Sequence, residues 1–358
     1  MFGTRSSRFR FRSLRCPFVV AGREPITQRD VAASLGVSIS AVSLALSGRA
    51  GVSDRLRAQI LARAAELGYR PNVSAVALRT KRTKVLGLLI RNLRNPHFLD
   101  VIDGFDETCA RAGYDVMVGS SRYDPDRERE LLDAFQDRAV DGLAVAPIGA
   151  SPQVREWHSA TKRPVVLLNA AERGERAPMS VRADHRAAVD FAVRHLIGLG
   201  HRRLAMLVAP PEKSPDPERW QRFRELSAEL DFRADAVVTE LSAAAARSAA
   251  VAELRRPPGE RPTAFIANSD YLAHAVYLAA ADLDLTVPHD ISVIGHDDLP
   301  TSASLAPPLT TVAVNRREIG ERAATLLIDA LGGRTPEATE VIVPVLLRVR
   351  SSTAPPAV

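Results

Sequence analysis

From Val85 onward the sequence alternates short apolar runs with longer amphipathic stretches, and it does so twice. The runs 85–90, 114–118, 142–146 and 164–168 read as strands, with helices over 97–113 and 126–136 among them. After Asp184 the alternation restarts with helix 185–199, strand 204–208, helix 218–230 and strand 236–239. Helix 243–256, strand 264–267, helix 270–283 and strand 291–294 complete it. Strands joined through helices lie parallel, and a parallel sheet needs cover on both faces. Two series therefore predict two doubly wound α/β lobes, with any ligand at the carboxyl ends of the strands.

Ahead of these lobes, residues 26–70 read as three short helices. Thr27 caps the first, which runs from Gln28 to Leu35 with Val31, Ala32 and Leu35 on one face, and Gly36 ends it. Ser38 opens a second helix to about Leu46. Ser53 and Asp54 open a third, with an apolar stripe of Leu56, Ile60, Leu61, Ala64 and Leu67 closed by Gly68. Two helices around a tight glycine turn form a helix-turn-helix, whose second helix can enter a major groove. Charge agrees with such a partner. Residues 1–84 hold 16 of the 48 Lys and Arg but 4 of the 42 Asp and Glu, leaving 32 basic against 38 acidic residues for the remainder. A basic head on an acidic body points to a polyanion at the head alone.

Residues 1–24 are rich in Arg and Ser, with Glu24 the single acid. Three readings stand: a disordered basic arm, a targeting segment, or upstream sequence from a misassigned start; the first and last are preferred. The apolar stretch 18–21 is shorter than a secretory signal requires, and no apolar run approaches the roughly 18 residues of a membrane helix. Cys16 and Cys109 lack zinc-ligand spacing, and Cys109 falls in an apolar helical pattern as a core residue. No P-loop, dinucleotide-binding glycine motif, GxSxG elbow or HExxH pair is present, so the chain is read as a non-enzyme, and His201 as a structural turn residue.

Several motifs in order carry a resemblance. The stretch TQRDVAASLGVSISAVS at 27–43 and LGYRPN at 67–72 resemble the head of the lactose/galactose repressor (LacI/GalR) family. HLIGLGHRR at 195–203, VPHDISVIGHDD at 287–298 and PLTTV at 308–312 resemble stretches of its body. The resemblance covers about residues 26–350. It implies an all-α helix-turn-helix headpiece joined to a two-lobed α/β effector domain like a periplasmic binding protein. The expected limits are an extension at 1–24, the head at 25–70 and a hinge linker at 71–84. The effector domain follows at 85–350, with one lobe at 85–183 plus 314–343 and the other at 184–313 plus 344–350, and then a tail at 351–358.

The implied function is cytoplasmic, nucleoid-associated transcription regulation, in most relatives repression, by a homodimer on double-stranded operator DNA. A small polar effector, a carbohydrate or related metabolite, controls it, with no cofactor, metal or membrane. The chain shows no C-terminal heptad run, which favours a dimer over a tetramer. For DNA the resemblance implies Thr27, Ser38, Ile39, Ser40, Ser43, Leu44, Asn72, Ala75, Leu78 and Arg79, with Leu78 as a minor-groove wedge. At Leu44 the family commonly has Arg, and at Ser40 a bulkier polar residue, so direct readout is expected to be weak or unusual; alternatively Leu44 packs in the head's core. For the effector it implies Asp184, Arg219, Asp270, Asp297 and the loop Asn95-Pro96-His97-Phe98, with Phe98 to stack on a sugar face, although Arg219 and Asp270 could simply pair with each other. Arg222 replaces a glycine of the family pattern, which puts packing at the pocket rim in doubt.

Overall fold

The computed structural model describes residues 26–69, 82–150, 152–170, 178–210, 213, 217–334 and 338–357. The extension 1–24 and the linker positions Asn72, Ala75, Leu78 and Arg79 lie outside the described residues. The chain divides into two units, Met1–Val76 and Ala77–Val358.

In the first unit, helices α1 (Gln28–Leu35), α2 (Ile39–Leu46) and α3 (Asp54–Glu66) start where hydroxyl side chains cap them. Thr27 and Asp30 form a reciprocal capping box, Ser38 accepts from the Ala41 amide at 3.1 Å, and Ser53 accepts from the Leu56 amide at 3.3 Å. Gly36, at φ 67°, ends α1 in a left-handed turn that a Cβ would disfavour, and α2 departs at 111°. The apolar faces meet in a core of Val31, Ala32, Val42, Ala45, Ile60 and Ala64.

The second unit holds two six-stranded sheets. The first contains β1 (Val85–Ile90), β2 (Asp115–Ser120), β3 (Gly142–Val145), β4 (Val165–Leu168), β5 (Met179–Ala183) and β11 (Glu340–Val343). Its order is β11-β5-β4-β3-β1-β2, all parallel. The second contains β6 (Arg203–Val208), β7 (Arg233–Val238), β8 (Ala264–Ile266), β9 (Ser292–Asp297), β10 (Thr310–Val314) and β12 (Val345–Arg348). Its order is β12-β10-β9-β8-β6-β7, parallel except for β12. Residues alternate between faces as the pleat demands: Leu86, Leu88 and Ile90 enter one core, and Leu89 enters the opposite one. Helices α4 (His97–Arg111), α5 (Pro125–Asp137) and α6 (Pro152–Thr161) cover the first sheet. The second has α7 (His185–Gly198), α8 (Glu218–Leu230), α9 (Ala243–Leu254) and α10 (Asp270–Ala281). The chain passes between lobes after β5, after β10 into α11 (Arg316–Leu331), and again between β11 and β12.

Three differences from the sequence reading have physical causes. Strand β7 begins at Arg233, three residues early, because this edge strand is half-exposed and its polar start carries no apolar signal. Strand β9 runs past Ile294 through buried Gly295, His296 and Asp297, so polar groups sit inside a strand end. The expected tail packs on the second lobe: Ser352 is fully buried, accepting from the Thr310 amide at 2.8 Å and donating to the Val293 carbonyl at 2.6 Å. Cys109 is a buried free thiol in the first lobe's core, pushed up to about 12 by burial.

Helices α4 and α11 touch backbone to backbone. A Cβ on Gly320 would lie 2.1 Å from the Val101 carbonyl oxygen, and one on Gly104 would lie 2.3 Å from that of Arg317. Gly320→Ala must push these helices apart, and the expected cost is about 1–3 kcal/mol of unfolding free energy. Urea denaturation would check it, and an unchanged midpoint would contradict this packing.

Candidate functional site

On the head, the caps and the outward face of α2 use different residues. Thr27 gives its hydroxyl hydrogen to Asp30, at 2.7 Å, so the capping box has used the donor it would offer a phosphate. Ser38 only accepts within its cap, which leaves its O–H able to donate outward. Ile39 and Ser40 are exposed, and Ser43 and Leu44 are half-buried. Leu44 stands outside the head's core cluster and lies against Gly51.

In the body, a cleft enclosing about 770 Å³, open mouth included, lies where strand carboxyl ends of both sheets converge. The first lobe contributes Arg91 after β1, Asn95, His97 and Phe98 at the start of α4, Tyr123 after β2, and Asn169 after β4. The second contributes His185 at the start of α7, Arg219 on α8, Asn268, Ser269 and Tyr271 around the start of α10, and Asp297 at the end of β9. Asn95, His97, Phe98, Arg219 and Asp297 are thus brought together, and the candidates Asp184 and Asp270 are not. Asp184 is spent capping α7, accepting from the Ala187 amide at 3.0 Å. Asp270 is fully buried beneath β9, where it accepts from the Leu299 amide (2.8 Å), Ser302 (2.5 Å) and Thr311 (2.6 Å). Burial, then the nearby Asp297 carboxylate, push the Asp270 carboxyl up to about 7. These three donors let it pin the β9 end from below.

Three neutral acceptors help to hold Arg219. It donates to His185 Nδ1 (3.0 Å), His296 Nε2 (3.0 Å) and the Asn268 carbonyl (3.0 Å). Burial, then the Arg219 charge, hold both histidines well below the usual 6.5. Across the cleft, His97 links the lobes. Asn169 Oδ1 accepts from the Ala183 amide (3.3 Å), which turns its Nδ2 toward His97 Nε2 (3.1 Å). Nε2 then accepts, and Nδ1–H donates to Asp297 Oδ1 at 2.7 Å. Arg316, at the head of α11, reaches both Asp100 on α4, at 3.0 Å, and the Asp297 carbonyl. Arg222 stays off the pocket wall: it joins α8 to α7 through Asp190 (2.7 Å) and pairs along its own helix with Glu225 (3.2 Å) and Glu229 (2.8 Å).

Sequence reasoning missed Tyr123, Asn169, His185 and Tyr271. The available signal was position: each stands within a few residues of a strand end or helix start.

Residues 27–72 match the model described as bacterial regulatory proteins, lacI family, and residues 193–353 match that of the periplasmic binding protein-like domain. The HTH-type transcriptional regulator MalR of Streptomyces coelicolor is 33% identical over 91% of this chain and 96% of its own length. The ribose operon repressor of Bacillus subtilis is 30% identical over 91% of this chain and 98% of its own. Among solved structures, the Lac repressor dimer bound to operator and the anti-inducer ONPF superposes with a TM-score of 0.81. It is 25% identical and covers 92% of this chain and 100% of that one.

The neutral histidines give the fold an acid sensitivity. Folded His185 and His296 bind protons only well below 6.5, whereas the unfolded chain binds them near that value. The stability they confer is complete above about pH 6.5 and is lost as pH falls below it. Between pH 7.5 and 5, the unfolding free energy of the wild type is expected to fall more steeply than that of a His185→Gln, His296→Gln double variant. Asp270 acts in the opposite sense but is common to both proteins. Parallel pH curves would show that neither histidine is held neutral.

Proposed function

Because the chain belongs to the lacI family of bacterial regulatory proteins, we propose that it represses transcription from an operator that the helix-turn-helix head reads, under control of a hydroxyl-rich effector, a sugar or close relative, bound between the lobes. The observation that carries this reading is the cleft. Arg219, Asp297 and the amides Asn169 and Asn268 surround it with donors and acceptors, and the rings of Phe98, Tyr123 and Tyr271 offer apolar faces for a sugar ring. That a ribose operon repressor is among the relatives supports a carbohydrate. The likeness to an operator-bound Lac repressor dimer supports a homodimer on near-palindromic duplex DNA.

The DNA contacts proposed are Ser38, Ile39, Ser40, Ser43 and Leu44 on the head and Asn72, Ala75, Leu78 and Arg79 in the linker; Thr27 is left out, because its hydroxyl and its backbone N–H both donate to Asp30. The effector contacts are Phe98, Arg219 and Asp297. No helix among the described residues is long and apolar enough to cross a membrane, and a regulator of transcription works in the cytoplasm, on the nucleoid, with no catalytic step.

The decisive experiment is a binding isotherm on DNA flanking the chain's own gene, across salt and with a panel of sugars. Tight, salt-dependent, site-specific binding that one sugar shifts is the expected result. Absence of any duplex binding would leave only a solute binder. Two substitutions divide the roles. Arg219→Ala is expected to keep operator affinity while weakening the effector about tenfold or more, as for a lost charge-assisted hydrogen bond. Leu78→Ala is expected to lose specific affinity and keep nonspecific binding, because only the specific complex needs a wedge. Equal losses on both DNAs would remove Leu78 from that role.

A further inference from the structure

The helix that faces DNA lacks the side chains with which proteins usually grip bases. Among the eight residues of α2, ISAVSLAL, none is charged and none carries an amide. Guanine is read in the major groove by a bidentate Arg or Lys, and adenine by Asn or Gln. Burial fixes which residues face outward: Val42 and Ala45 point into the core, while Ile39 is 45% exposed, Ser40 is exposed and Leu44 is half-exposed. A guanidinium at the end of the helix is committed elsewhere. Arg57 donates to the carbonyls of Leu44 (3.3 Å), Ala45 (3.2 Å) and Arg49 (2.6 Å), closing the end of α2.

Branched methyl groups can distinguish one feature of the groove, the 5-methyl of thymine, which no other base presents there. Leu44 is well placed for this. Its Cδ1 would lie 2.9 Å from a Cβ at Gly51, so the turn after α2 braces the side chain from behind. A braced side chain loses less rotamer entropy on binding. Ser40, one turn before Leu44 on the same stripe, adds a hydroxyl able to donate or accept. We infer that this head reads its operator half-site through thymine methyl groups packed on Ile39 and Leu44, and not through bidentate hydrogen bonds from α2. The inference rests on α2 being the helix that enters the major groove.

The test uses the full chain and a DNA site that it selects from a random duplex pool. Thymines in each selected half-site are then replaced singly by deoxyuridine, which removes the methyl and leaves every hydrogen-bonding group. Uracil at one or two positions per half-site is expected to weaken binding by about fourfold per methyl, as for one buried methylene. Leu44→Ala should abolish the thymine-over-uracil preference at one position and keep it at another, with Ile39→Ala doing the converse. Because the first arm alters only the DNA, it holds even if a variant folds poorly. A selected half-site that tolerates uracil throughout but is weakened by 7-deazaguanine, which lacks the N7 acceptor, would overturn the inference. Selection of no sequence at all would instead refute α2 as a base-reading helix, and the inference with it.

Discussion

The body of this protein is governed by one requirement: a parallel sheet must be covered on both faces. With helices over each face, the strand interiors hold Leu88, Leu89, Val166, Leu167 and their neighbours, and almost nothing polar. Polar chemistry is displaced to the carboxyl ends, and there it must satisfy itself, because a buried donor or acceptor left without a partner costs more than a bond gains. The arrangement around the cleft follows. Asp270 receives three donors, Arg219 reaches three acceptors, and His97 uses both ring nitrogens. These groups are thereby held in place before any ligand arrives.

That requirement also explains what the sequence made legible. Local chemistry was readable wherever it acts within a few residues. Thr27, Gly36, Ser38 and Ser53 mark helix ends through bonds to nearby backbone, and the unbroken apolar run from Leu86 to Ile90 marks a strand buried on both sides. The cleft was less readable because it is assembled from residues far apart in the chain. His97 meets Asp297 and Asn169 only once two lobes are built. Phe98, Arg219 and Asp297 were found through the resemblance, which carries positions. Resemblance could not foresee that Asp184 and Asp270, polar residues at the right places, are consumed by a helix cap and by the support of β9. A strand with a weak apolar signal, such as β5 or β11, leaves little to read before its partner is known.

Polar ties join the two lobes, among them His97 to Asp297, Arg316 to the Asp297 carbonyl, and Arg182 to Glu218 at 3.1 Å. Each is worth on the order of 1 kcal/mol net, because water can take over either partner when it opens. An apolar seam of similar extent would resist separation far more strongly. The coupling between an effector and a distant site is typically about 1–3 kcal/mol, the same size as one or two of these ties. A ligand of modest affinity can therefore shift the balance between lobe arrangements.

The three chain crossings have a consequence for inheritance. Each lobe is stitched from two separated stretches, with β11 and β12 exchanged between sheets only a residue apart. No single cut and splice can transplant one lobe, so a recombination that replaces half the cleft must make several junctions at once and match two cores. The three-helix head is one continuous stretch and can change hosts by a single crossover. In a lineage built on this plan, what the protein senses drifts residue by residue, whereas which promoter it answers to can be acquired in one genetic event.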